Sequence, residues 1–163
     1  MALYISDGNG NLTKIAGNFA ESEFLEITKT SDQNFGSTSQ VKITGFTTVA
    51  SRGTRLTLSN NAITIGSGVS YIKISGKARL ERKTSGTTRF NIDTYKNGSS
   101  ISSPTYYCAA SGDCDYLGRY VLTFVAIVPV TSGDVISFYA QSTANGSTSD
   151  VIQKTTTFVV EVV

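Results

Sequence analysis

The chain has 163 residues, no histidine and a formal net charge of +2, and charged side chains make up only 16% of it. That length suits one domain with a sizeable core and argues against two. The Lys and Arg residues are scattered, and the one dense run, "RLERK" at 79–83, carries Glu81 in its middle, so there is no electrostatic case for a nucleic-acid partner.

The missing imidazole removes Ser-His-Asp and Cys-His nucleophile arrangements and the common proton shuttle. Asp113 and Asp115 flank Cys114 in one short loop, "SGDCDY", whereas a glycosidase pair normally comes from separated strands. No enzyme activity and no cofactor is therefore expected. Cys108 and Cys114 enclose "AASGD", a spacing unlike that of CxxC sites, and no histidine is present to complete a zinc shell. The two either close a small loop as a disulfide or stay as thiols, according to compartment. The N-terminus has no basic, apolar leader pattern, and the longest apolar run, "YVLTFVAIVPV" at 120–130, is too short to span a bilayer, so a membrane partner is not expected.

In chain order, residues 1–40 read as an N-terminal arm and linker placed before the main domain at 41–163. In "LYISDGNGNLTKIAG" the stretch Leu3 to Ile5 is expected to pair with Leu12 to Ile15 across a Gly/Asn-rich turn. The start of a calcium loop is mimicked there, but Leu12 and Asn18 stand where that loop needs Gly and Glu. Leu3, Tyr4, Ile5, Leu12 and Ile15 are the candidate docking residues of this arm. "AESEFLEITKT" follows, and then a polar linker, "SDQNFGSTSQ".

From 41 onward strand follows strand. The clearest is 69–82, where Ile72, Ile74, Ala78 and Leu80 fall on one face and Tyr71, Lys73, Ser75, Lys77, Arg79 and Glu81 on the other. Further strands are expected at 41–49, 55–58, 62–65, 89–95, 117–128, 134–141 and 155–163, with turn residues between them. The Asn97-Gly98 pair in "YKNGSSI" predicts a two-residue type I′ hairpin, because both central residues need positive φ. An all-β antiparallel sandwich or barrel follows.

Two later strands are apolar on both faces. Tyr120, Leu122, Phe124, Ala126 and Val128 alternate with Val121, Val125 and Ile127, and Val135 and Tyr139 oppose Ile136 and Phe138. A sheet in a lone sandwich usually solvates one face, so a second buried surface between copies is expected. The candidate interface residues are Tyr120, Leu122, Phe124, Val135, Phe138, Tyr139 and Phe158.

The order and spacing of "GVSYIKISG", "FNIDTYKNG", "YVLTFVAIV", "SGDVISFYA" and "TFVVEVV" resemble the trimeric jelly roll of the tumour-necrosis-factor-like superfamily, which includes the globular head of the first complement component. The chain departs from that pattern in its thinner aromatic content at 69–74, in Glu161 within the last strand, and in lacking a collagen-like repeat. The resemblance implies a jelly roll over 41–163 and a homotrimer. The arm, "ISDGNGNLTKIAG", is similar to the start of small bacteriophage and prophage structural proteins. Together these imply a virion component of fibre, knob or decoration type. It would be assembled in the host cytoplasm, docked to other virion proteins through its arm, and able to bind a host-surface glycan or protein. Loops at the sheet ends would carry recognition, with Tyr106, Tyr107, Asp113, Asp115 and Tyr116 as candidates beside the loop at 144–150. A monomeric carbohydrate-binding sandwich is the alternative.

Overall fold

In the computed structural model the backbone is described for residues 3–6, 12–15, 22–35, 39–83, 88–101, 109–114, 118–142 and 150–163, and side chains for those from 22 onward except Thr88 and 109–114. The elements in chain order are β1 (Leu3–Ser6), β2 (Leu12–Ile15), β3 (Phe24–Lys29), β4 (Gln33–Asn34), β5 (Val41–Lys42), β6 (Phe46–Arg52), β7 (Leu56–Ser59) and β8 (Ala62–Ile65). They continue with β9 (Tyr71–Arg82), β10 (Thr88–Lys96), β11 (Ser99–Ser100), β12 (Ala109–Cys114), β13 (Gly118–Pro129), β14 (Val135–Ser142), β15 (Val151–Ile152) and β16 (Thr157–Val162).

Two seven-stranded antiparallel sheets face each other. The first holds β6, β3, β16, β9 and β13 as neighbours, with β15 paired to the last residues of β9 and β4 paired to β15. The second runs β7, β8, β14, β10, β12, with β5 and β11 at its margins. From β8 onward the main strands pass between the sheets repeatedly, β9 in the first, β10 and β12 in the second, β13 in the first, β14 in the second and β16 in the first. This is a jelly-roll sandwich.

Alternation decides which side chains enter the layer between the sheets. Along β9, Ile72, Ile74, Gly76, Ala78 and Leu80 are buried, as expected from the period of two. Phe138 of β14 and Phe158 of β16 meet from opposite sheets as a parallel stack with centroids 3.7 Å apart, and Phe46 and Phe124 pack around Phe158 at 5.7 and 6.2 Å. The expected hairpin forms: Asn97 and Gly98 take φ of 52° and 80°, and Lys96 and Tyr95 pair with Ser99 and Ser100.

The sandwich begins upstream of the boundary drawn from sequence. β3 lies between β16 and β6, with Leu25 and Ile27 buried, and Phe35, within the expected polar linker, is buried against Phe90 at 5.2 Å. "FLEITK" alternates like any half-buried strand, and the surrounding polar residues obscure its length. β1 and β2 pair as expected, in the register Leu3 with Ile15 through Ser6 with Leu12.

Candidate assembly face

The outward face of the first sheet is built by the residues that alternate with the core set. On β13 these are Val121, Thr123, Val125 and Ile127; on β9, Tyr71, Lys73, Ser75, Lys77 and Arg79; on β16, Thr157, Val159 and Glu161. In register, Val125, Ser75, Val159 and Glu26 form one row across four strands, and Ile127, Lys73, Glu161 and Phe24 the next. Val121, Val125, Ile127 and Tyr71 are 53, 62, 54 and 52% exposed, so a line of large apolar side chains stands in solvent along an edge strand. An ion pair, Lys73 Nζ to Glu161 Oε2 at 2.7 Å, crosses the same face.

β13 is twelve residues long and among the described residues its main-chain pairing is with β9 alone. Such an edge, apolar on its free face, is a surface that proteins normally cover. Phe124, by contrast, points inward over Gly76, its partner in the ladder, where an added Cβ would lie 2.4 Å from the ring.

The interface set expected from sequence therefore divides. Phe124, Phe138 and Phe158 are buried in the core of the single chain and are corrected from contact to core. Tyr120 and Leu122 pack partly buried against that core. Val135 is exposed, and Tyr139 is half-buried against Tyr95 at 4.1 Å on the outward face of the other sheet. Strand periodicity separates two faces without saying which looks inward. On β13 Phe124 looks inward, and Val121, Val125 and Ile127 stand outside.

Tyr106, Tyr107, Cys108, Asp115 and Tyr116 lie outside the described residues. Of Asp113 and Cys114, as of Leu3, Tyr4, Ile5, Leu12 and Ile15, only the backbone is described. In the loop at 144–150 only Asp150 is described; it is buried and accepts from Ser142 Oγ at 3.1 Å and Lys83 N at 3.1 Å. Among the described residues no group of three His, Cys, Asp or Glu side chains comes together as a metal site.

At the other end of the sheets, two turns are joined side chain to side chain. Asn97 Nδ2 donates to Asp134 Oδ1 at 2.7 Å, and Val135 N donates to Asn97 Oδ1 at 2.8 Å. Burial pushes the Asp134 carboxyl upward, but the Thr131 N–H, the Asn97 amide and the Lys96 charge outweigh it and hold it below its ordinary value.

No protein-family profile matches the chain, and no curated protein matches it in sequence. Solved structures do match in shape. Murine APRIL at pH 8.0 superposes with a TM-score of 0.61 at 8% identity, covering 88% of this chain and 100% of the other. The globular domain of zebrafish complement 1qA protein gives 0.54 at 9% identity, covering 86% and 95%. The chain shares the jelly-roll fold of these structures. At these identities the likeness is one of architecture. Within this jelly roll the order β6-β3-β16-β9-β13 presents one broad sheet face, and that is where the exposed apolar line runs.

Proposed function

We propose that the protein is a non-enzymatic structural head in which three copies of the jelly roll meet through the outward face of the β9–β13 sheet. The observation that carries this is the row Val121, Val125 and Ile127, each more than half exposed on a strand that among the described residues pairs along one edge only. The murine APRIL and complement-head folds support three copies, since domains of that architecture typically assemble as trimeric heads. Closed symmetry would bury the apolar row in three equivalent contacts and leave no open edge.

The finer reading is a virion component of fibre, knob or decoration type. The β1–β2 hairpin would dock on another virion protein while the head faces outward with its loops toward a host surface. It rests on the resemblance of the arm to bacteriophage structural proteins.

Val125→Glu tests the assembly. A carboxylate at the centre of an apolar contact should weaken association by roughly a hundredfold or more, through the desolvation of an unpaired charge. The solution mass should drop to that of one chain with the β-sheet circular dichroism unchanged. A variant of unaltered mass would refute contact through this face.

A further inference from the structure

We propose that Arg79 and Arg119 form an oxyanion-binding site at the end of the β9–β13 ladder. Arg119 pairs with Glu81 and Val121 with Arg79, so the two arginines stand diagonally on adjacent strands and share the outward face. They border two adjoining hollows of about 230 Å³ each. Lys154 and Thr155 wall one, Tyr120 and Val121 the other, and Gln153 is common to both.

The acids nearby are engaged elsewhere. Glu81 takes Lys83 Nζ at 2.9 Å and Gln153 Nε2 at 2.8 Å, while Asp32 Oδ1 accepts the Lys154 N–H at 2.7 Å. Neither guanidinium makes a hydrogen bond or ion pair to a described residue, and Arg119 reaches Glu81 only through its field. Three cations thus face a concave site whose two carboxylates already have donors. A planar guanidinium fork suits carboxylate, sulfate or phosphate oxygens, and two forks on a rigid ladder suit them better than flexible lysines would.

The wall opposite is held in a costly shape. Thr155, β-branched, takes φ of 72°, a region such residues rarely enter. The turn is pinned to β9 by Gln153 N to Arg79 O at 2.8 Å and by Arg79 N to Thr156 Oγ1 at 3.0 Å. Backbone strain of this kind gathers at binding sites. One chain supplies every wall, so the site does not require assembly.

The anion is either a free ion or the acid group of a saccharide. The test is a titration of the full-length protein with sodium sulfate at constant ionic strength, following the arginine Nε–H signals by NMR. Two signals should shift and saturate, and Arg79→Gln with Arg119→Gln should weaken the response about tenfold or more. Lys42→Gln, on the second sheet, should leave it intact. If the double variant does not fold, Arg79→Lys, which keeps the charge and loses the fork, should also weaken it. A parallel titration with glucuronate, using glucose as the neutral control, separates the sources. Tighter binding of glucuronate than sulfate assigns a saccharide, and equal or weaker binding a free ion. A linear response without saturation, or saturation that persists in the variants, would overturn the site. The mass of the same sample reports assembly separately, so either reading can fail alone.

Discussion

Phe124 lies directly across the ladder from Gly76, and its ring occupies the space that a Cβ at Gly76 would need, 2.4 Å away. The ring also packs against Phe158, with centroids 6.2 Å apart. Gly76→Ala should therefore lower stability by about 1–3 kcal/mol through overpacking, read from urea unfolding at unchanged m-value. A neutral substitution would mean that Phe124 does not fill this space.

Asn97 has two roles that can be separated. Asn97→Gly keeps the left-handed turn and loses only the bonds to Asp134 and Val135. Asn97→Ala loses both and should cost more, about 1–3 kcal/mol. The Asp134 carboxyl is held below its unfolded value of 3.8, so its contribution is fully present above that value and lost as pH falls through the lower folded one. Removing the Asn97 amide should shrink the acid-side difference in stability between Asp134→Asn and its parent. Equal differences in both backgrounds would show that the bond is energetically silent.

Lys29 ends β3 on the core side, buried, with Nζ donating to Thr44 O at 2.6 Å. Burial pushes its amine below the ordinary 10.5, against a smaller opposing effect of Asp32. The folded chain then binds fewer protons than the unfolded chain in the window below 10.5, so stability should rise with pH there. Lys29→Met should lack that slope. Parallel pH profiles of the two proteins on chemical denaturation would contradict the burial of a charged amine.

Much of this was legible in the sequence. Alternation in "YIKISGKARLER" places Ile72 through Leu80 correctly, and Asn97-Gly98 specifies its turn because few residues accept positive φ. Three things were not legible. β3 sits in a polar neighbourhood whose pairing with β16 spans most of the chain, and no local rule sees so distant a partner. The direction of β13 was also hidden, because both of its faces are apolar. Gly76 was the available clue: a glycine within a strand marks a close approach, here of the Phe124 ring, and so marks that face as the inner one. The Arg79 and Arg119 pair was invisible because it needs the β9–β13 register and the distant turn at Gln153.

The arm offers a separate check. Deleting residues 1–21 removes β1 and β2 but leaves β3 whole. The truncated head should still assemble as three copies, with its thermal midpoint within a degree or two of the parent, since surface changes remote from the core cost little. It should no longer co-purify with assembled particles. Retained particle binding would move the docking surface onto the head.

The most direct measurement is the solution mass of the full-length protein by light scattering on a size-exclusion column, at low concentration in moderate salt. Three times the chain mass is expected if Val121, Val125 and Ile127 are covered by neighbouring copies. A single-chain mass across the concentration range would contradict the trimeric head and leave the monomeric carbohydrate-binding sandwich as the better account.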